Sequence, residues 1–370
     1  MAGPLSDLRV IDLSTVIAGP GCARHLGDFG ADVIKVERPG GGDTARAMGW
    51  RDPADDVTLF WKLVGRNKRS IVLDLKDADD LDVLRRLLDT ADVLVENFRP
   101  GKLEALGLAP EVLHRTNPRL VVTRVSGFGQ TGPYRSRPGF ATLAEAMSGF
   151  AAVNGEPDGA PLLPPIALTD EVTAIVAAFA TMVALHSGVG QVVDVNLLES
   201  MLHLMGPLVS AYAVSGYEQP RLGAGIPYTV PRNTYRCSDG RWVAISTTAE
   251  SVAIRLLRLI GLDDPSLDGF AARVEARDRI DRAVAEWCAA RTLDEVIDET
   301  ERAEVAAAPV YTQADIAADP HLRERGALIE VDGVRMQDVI ARLSATPGGI
   351  RFAAPALDAD ADAIRAELDR

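Results

Sequence analysis

Short β-branched runs alternate with helically spaced segments through the first half of the chain. Residues 8–13 (Leu-Arg-Val-Ile-Asp-Leu) read as a buried strand. Residues 19–29 have helical spacing, and Gly30 is placed to end that helix. Residues 32–37 form a second strand, followed by Pro39 and a run of glycines. The rhythm continues with strand 71–75, helix 78–88, strand 91–95, a helix around 110–115 and strand 120–125. Strands that alternate with helices imply βαβ units and a mainly parallel, doubly wound sheet.

The loop-rich stretch 127–139 precedes a helix over 140–150 and a second loop running to Pro165. Helix 171–186 is apolar nearly all round, which predicts burial. Strand 191–195 and helix 197–214 close this part. From about Gly223 the pattern changes. Residues 233–237 and 242–246 flank Ser238-Asp239-Gly240 as a hairpin, and amphipathic helices follow to about Ala317. The expected division is a large α/β domain over 1–215, a smaller α+β domain over 223–317, and a segment 318–370 that returns to the first. That last segment ends in a charged helix over 361–368.

Composition narrows the function. A net charge of −14 argues against broad contact with nucleic acid or an anionic membrane. An anionic ligand would need a local basic island, and Lys62, Arg66, Lys68 and Arg69 supply a candidate, with Arg38 and Arg99 after strand ends. Cys22, Cys237 and Cys288 are too scattered for a disulfide framework, and no Cys or His spacing predicts a metal site. The N-terminus lacks a signal-peptide pattern, and the apolar stretch 172–185 is too short to span a bilayer. The expectation is a cytoplasmic protein.

The opening strand, Gly19-Pro20-Gly21, helix, strand and Glu37 imitate a dinucleotide fingerprint. The details oppose an NAD-dependent dehydrogenase. The third glycine of the fingerprint falls on Arg24, and the turn after Leu13 is too long. Asp170, ahead of the apolar helix, is a ready helix cap, worth about 1 kcal/mol. Its place by a helix N-terminus favours the ionised carboxylate, and the apolar neighbours Pro164 to Leu168 keep water scarce.

A set of tracts in fixed order carries a family resemblance. They are Leu26-Gly27-Asp28-Phe29-Gly30-Ala31-Asp32-Val33-Ile34-Lys35-Val36-Glu37, Arg66-Asn67-Lys68-Arg69-Ser70, Val95-Glu96-Asn97-Phe98-Arg99-Pro100-Gly101, Ser126-Gly127-Phe128-Gly129-Gln130-Thr131-Gly132-Pro133, Arg137-Pro138-Gly139-Phe140 and Gly190-Gln191-Val192-Val193-Asp194-Val195. Tyr235 to Trp242 and Asp319-Pro320-His321 continue the series. The chain resembles the class III coenzyme A transferases of the CaiB/BaiF type over nearly its whole length. The resemblance implies a Rossmann-like domain, a smaller second domain and a C-terminal return, with two chains threaded together as an interlocked homodimer.

By the same resemblance Asp170 is the catalytic nucleophile. It would form an acyl anhydride and then an aspartyl-CoA thioester while CoA moves from an acyl thioester to a free carboxylic acid. Contacts to CoA carry over onto Ile17, Ala18, Arg38, Leu73, Lys76, Asn97, Phe98 and Arg99. Coenzyme A enters as substrate, with no permanently bound cofactor. Backbone N–H groups near Gly139, Phe140 or Ala18 are candidate oxyanion donors, and segments 223–228 and 231–235 are expected in the acyl pocket.

Two rival classes stay in view. Racemases of the same family act at the α-carbon of an acyl-CoA and carry His where this chain has Phe140, whose ring cannot move a proton. A catalytically dead CoA-binding protein would keep the basic residues without needing Asp170. Two departures bear on substrate. The acid that many transferases carry after Arg-Pro-Gly-Phe is Ala141, and no glycine-rich loop follows Ser246.

Overall fold

A computed structural model describes residues 3–369. The chain runs β1 (Arg9–Asp12), α1 (Ala18–Asp28), β2 (Asp32–Glu37), α2 (Leu59–Val64), β3 (Lys68–Val72), α3 (Ala78–Asp89), β4 (Val93–Glu96), α4 (Lys102–Ala105), α5 (Pro110–Thr116) and β5 (Val121–Ser126). It continues with α6 (Ala141–Met147), α7 (Phe150–Val153), α8 (Leu168–Ser187), β6 (Val192–Asn196), α9 (Leu197–Leu204) and α10 (Leu208–Ser215). Then come β7 (Arg232–Arg236), β8 (Trp242–Ser246), α11 (Glu250–Leu259), α12 (Phe270–Glu275), α13 (Arg277–Ala289), α14 (Leu293–Arg302), β9 (Ala307–Pro309) and α15 (Gln313–Ala318). The last elements are α16 (Pro320–Glu324), the β10 (Leu328–Val331) and β11 (Val334–Gln337) hairpin, and α17 (Ala361–Leu368).

The first unit comprises residues 1–149, 164–206 and 321–370. Its six strands are all parallel, in the order β3-β2-β1-β4-β5-β6. That is the doubly wound Rossmann order, with a switch point between β1 and β4. Alternation along the strands supplies two faces. Ile11, Leu13, Ile34, Val36, Leu94 and Val122 pack with Leu84 and Leu87 of α3, Leu113 of α5 and Ile364 of α17. The opposite face meets α1 and α8, where Thr123 and Thr181 hydroxyls bond at 2.6 Å. Strands covered on both sides read as continuous apolar runs.

The third strand departs from expectation. It covers Lys68–Val72 rather than 71–75. Lys68 and Arg69 enter the sheet because carboxylates on neighbouring strands neutralise them, Asp12 at 2.8 Å from Lys68 and Asp32 at 2.7 Å from Arg69. Leu73 to Leu75 are thereby released to the loop at the strand's end.

Two expected helices are each broken by glycine. Ser148-Gly149 separates α6 from α7, with Gly149 at φ 91°. Gly206-Pro207 separates α9 from α10, with Gly206 at φ 56°. Helix α8 is 20 residues long, and by length and composition it is apolar enough to cross a membrane, unlike the shorter stretch seen in sequence. It is a core helix on one side only. Ala174, Ala177, Ala178 and Thr181 are buried, whereas Ile175, Phe179 and Val183 lie 48%, 70% and 54% exposed.

The second unit comprises residues 150–163 and 207–320. Its antiparallel sheet β7-β8-β9 packs Tyr235, Val243 and Ile245 against Leu256, Ile280, Val284 and Val296. The sequence pattern assigns 150–163 to the large domain. The segment belongs here because Gly223 N–H bonds Gly155 O at 2.9 Å and the Arg221 guanidinium bonds the Glu156 and Gly159 carbonyls.

Candidate active site

The C-terminal ends of β1, β2 and β3 and the loop after β4 enclose a cavity of about 350 Å³. Arg38, Leu73, Lys76 and Phe98 line it, as does Lys102, which the sequence reading did not single out. Ile17, Ala18, Asn97 and Arg99 do not. Ile17 and Ala18 are buried at the start of α1, and Arg99 is exposed.

Asn97 has an internal task. Its Nδ2 donates to Thr15 O at 2.7 Å, and its Oδ1 accepts from Thr15 N–H at 2.9 Å. The next residue, Val16, sits at φ 74°, a left-handed conformation costly for a β-branched side chain. Its N–H donates to Asp43 Oδ1 at 3.0 Å. Two side chains from separate loops therefore hold the β1–α1 turn in a strained shape at the cavity rim.

Beneath this turn lies a buried charge cluster. Lys35 Nζ is 3.2 Å from Asp43 and 3.6 Å from Asp12, and it also donates to Ser14 O. Lys68 Nζ is 2.8 Å from Asp12 and bonds Pro20 O in α1. Burial works against the Lys35 ammonium, but Asp12, Asp43 and Glu37 outweigh it and hold its pKa above the ordinary lysine value. Burial likewise opposes the Asp12 carboxylate, and the two lysines overcome it and lower its pKa.

The cations that cluster in sequence do not form a ligand island. Lys62 pairs with Asp52 and Asp55, Arg66 grips Asp28 at 3.1 and 2.6 Å, and Arg69 bridges Asp32 and Glu367. The cations that line the cavity are Lys35, paired with Asp12 and Asp43, together with Arg38, Lys76 and Lys102.

Asp170 is the third residue of α8, and Ala167 occupies the cap position without a side-chain bond. It is thus a first-turn residue rather than the cap. No group among the described residues bonds its carboxylate. Burial, and after it the Glu145 and Glu171 carboxylates, push the Asp170 pKa up to about 6. The direction opposes the expected helix-end effect. A helix terminus is worth roughly 0.3–1 kcal/mol, less than burial beside two acids.

Glu145 was missed in sequence, where attention fell on position 141. It lies on α6, 4% exposed, and accepts from Thr169 Oγ1 at 2.8 Å. An acid between Ala144 and Ala146 on an otherwise apolar helix was the available signal. Glu171 turns away to Arg24 of α1 at 3.2 Å. Helices α1 and α8 approach so closely that a Cβ on Gly21 would lie 2.8 Å from that of Ala174, one turn after Asp170. Helix α1 therefore links the clamped turn at its start to the helix that bears Asp170.

Asp170 is not among the residues that line the cavity, so the candidate features are two: the cation-lined cavity at the ends of a parallel Rossmann-order sheet, and the desolvated carboxylate on α8. Residues 5–361 match the sequence profile of CoA-transferase family III. The chain belongs to that family, the class III CoA-transferases. It is 41% identical over 367 residues to the succinyl-CoA–D-citramalate CoA-transferase of Chloroflexus aurantiacus, covering 96% of this chain and 91% of the relative. It is 39% identical to the alpha subunit of the succinyl-CoA–L-malate CoA-transferase of the same species, covering 99% and 89%. The crystal structure of a CAIB/BAIF family protein from Brucella suis superposes with a TM-score of 0.88 at 32% identity, over the full length of both chains.

Proposed function

We propose that the protein transfers CoA from an acyl-CoA donor to a free dicarboxylic acid, with Asp170 as the covalent nucleophile. The observation that carries this reading is the Asp170 carboxylate, half-buried, unbonded and flanked by acids on the first turn of α8. A carboxylate so placed is poorly solvated and open to an electrophile.

In the first step a carboxylate oxygen of Asp170 attacks the thioester carbonyl. The C–S bond breaks, giving an aspartyl-acyl anhydride and CoA thiolate. The thiolate then attacks the aspartyl carbonyl, and the donor acid leaves as a carboxylate. The acceptor carboxylate attacks the resulting aspartyl-CoA thioester to give a second anhydride and free thiolate. Attack of that thiolate on the acyl carbonyl releases the new thioester and restores Asp170. Arg38, Lys76 and Lys102 would hold the phosphates of CoA, with Phe98 and Leu73 against its apolar parts. Ile17, Ala18, Asn97 and Arg99 complete the proposed binding set. Asn97 and Ala18 act there by shaping the turn.

The dicarboxylate class rests on the relatives, whose names give succinyl-CoA with D-citramalate or L-malate. Such an acid keeps a free carboxylate away from the thioester and needs a cation to receive it. Proton transfer at an α-carbon is disfavoured by Phe140. A homodimer covers the exposed Ile175, Phe179 and Val183 stripe in this reading, and the setting is the cytoplasm.

Initial rates with succinyl-CoA and a series of acids test the proposal. Parallel double-reciprocal lines are expected, together with exchange of labelled succinate into succinyl-CoA without any acceptor. Intersecting lines and no exchange contradict a covalent enzyme.

A further inference from the structure

We propose that Glu145 is a positioning residue for Asp170, whose buried carboxylate, anchored on Thr169, drives the aspartate's negative charge out onto the departing acid. The inference rests on Asp170 being the nucleophile. It concerns why the exchange of charge at that residue runs forward.

The first half-reaction conserves charge but moves it. Acyl thioester plus aspartate anion gives carboxylate product plus a neutral aspartyl-CoA thioester. The bond broken is the acyl C–S bond, the bond finally formed is the aspartyl C–S bond, and one oxygen of Asp170 leaves on the donor acid. The protein therefore begins with an anion inside the site and ends with that anion on a molecule free to reach water. Anything that raises the energy of the buried anion favours the covalent enzyme.

Glu145 is placed to do this. It reaches from α6 with little exposure, and its Oε1 accepts from the hydroxyl of Thr169, the residue immediately before Asp170. Thr169 itself is buried, and its carbonyl accepts from Thr173 Oγ1 at 2.7 Å, so the anchor is fixed to the helix. No cation among the described residues pairs with Glu145. The surrounding elements offer little compensation. On α1, Arg24 is taken up by Glu171. Burial and the neighbouring Arg24 and Arg66 hold His25 neutral, with a pKa of about 3. Strand β5 carries Arg124, which pairs with Glu96 and Glu104. Strand β6 adds Asp194, which accepts from Gln130 N–H, and α9 carries Glu199 and His203. Burial first, and then Glu145 and Glu171, raise the affinity of Asp170 for a proton, and protonation and acylation both erase the same charge.

Glu145→Gln separates the charge from the anchor, because the glutamine Oε1 still accepts from Thr169. The test uses wild type and this variant at a fixed ratio of succinyl-CoA to succinate, with the fraction carrying CoA at Asp170 read by intact and peptide mass. The ratio of acylated to free enzyme is expected to fall roughly 3- to 10-fold, matching half to one pKa unit. The acidic limb of the kcat profile should move to lower pH by the same amount, while KM for succinyl-CoA stays constant.

Thr169→Val provides the converse, keeping the charge and losing the bond, and its acylated fraction should stay within about twofold of wild type. An unchanged fraction and pH limb in folded Glu145→Gln overturns the proposal. So does a large fall in Thr169→Val, which remains decisive even where Glu145→Gln does not fold. Failure of wild type to carry CoA at Asp170 is a different result, and it refutes the nucleophile itself.

Discussion

The side-chain amide of Asn97 engages both backbone polar groups of Thr15, donating at 2.7 Å and accepting at 2.9 Å. One residue at the end of β4 thus sets the turn that leads into α1, next to the left-handed Val16. Asn97→Ala removes both bonds at once. At about 0.5–1.5 kcal/mol each, the loss is expected to cost about 1–3 kcal/mol of stability. KM for acyl-CoA should rise about tenfold, with a smaller change in kcat, since the clamp shapes the cavity rim rather than touching the reacting atoms. Urea unfolding and steady-state kinetics on one preparation check both halves. Unchanged KM would show that the turn keeps its form without Asn97.

The raised pKa of Asp170 links activity to stability. The group's folded value, about 6, lies above its ordinary 3.8. The folded protein therefore holds this proton more tightly than the unfolded chain. Well below pH 3.8 the carboxyl is neutral in both states and carries no penalty. As pH rises from about 4 to 6 the penalty develops, reaching about 3 kcal/mol. Asp170→Asn should accordingly be inactive yet have a higher Tm than wild type at pH 8, with the difference vanishing well below pH 3.8. A lower Tm at pH 8 would contradict a destabilised carboxylate.

The cluster below the cavity makes the opposite prediction. Asp12, Lys35 and Lys68 are each fully buried. Asp12→Ala leaves two ammonium groups without their shared carboxylate. Breaking a buried pair by removing one partner costs about 3–5 kcal/mol. A midpoint shift of that size in denaturant, with an unchanged slope, is the expected observation. A loss below about 1 kcal/mol, the range of an exposed pair, would contradict a rigid charged floor.

The exposed face of α8 bears on assembly. Ile175, Phe179 and Val183 follow one another at helical spacing of four, and all three are exposed. Phe179→Glu should convert a dimer in light-scattering measurements into a monomer or an aggregate. Retention of a dimer at wild-type stability would place the interface elsewhere.

Much of the first unit was legible because its strands are apolar runs whose character does not depend on distant partners. Residues 8–13 and 32–37 enclose the observed β1 and β2. The third strand was not, since Lys68-Arg69-Ser70 resembles a solvated surface until Asp12 and Asp32 are brought beside it. For the same reason Lys62, Arg66, Lys68 and Arg69 read as a ligand island when each is committed to a carboxylate. The fold of residues 150–163 onto 221–223 rests on a backbone bond and on the Arg221 guanidinium reaching backbone carbonyls, which leave no local pattern. The ordered motifs single out Asp170 as the proposed nucleophile, but its electrostatics are not legible in them. They depend on burial first and then on Glu145, an acid 25 positions earlier by number and carried on another helix.

Asp170 is proposed to become covalently attached to CoA during turnover. The direct measurement is to incubate the protein with a panel of acyl-CoA donors, succinyl-CoA first, then trap with hydroxylamine or borohydride and map modified peptides by mass spectrometry. The expected result is a modification at Asp170 that is absent from Asp170→Ala. Bound CoA with no donor labelling Asp170, alongside exchange of the α-hydrogen for deuterium, would contradict it and point to enolising chemistry at the α-carbon.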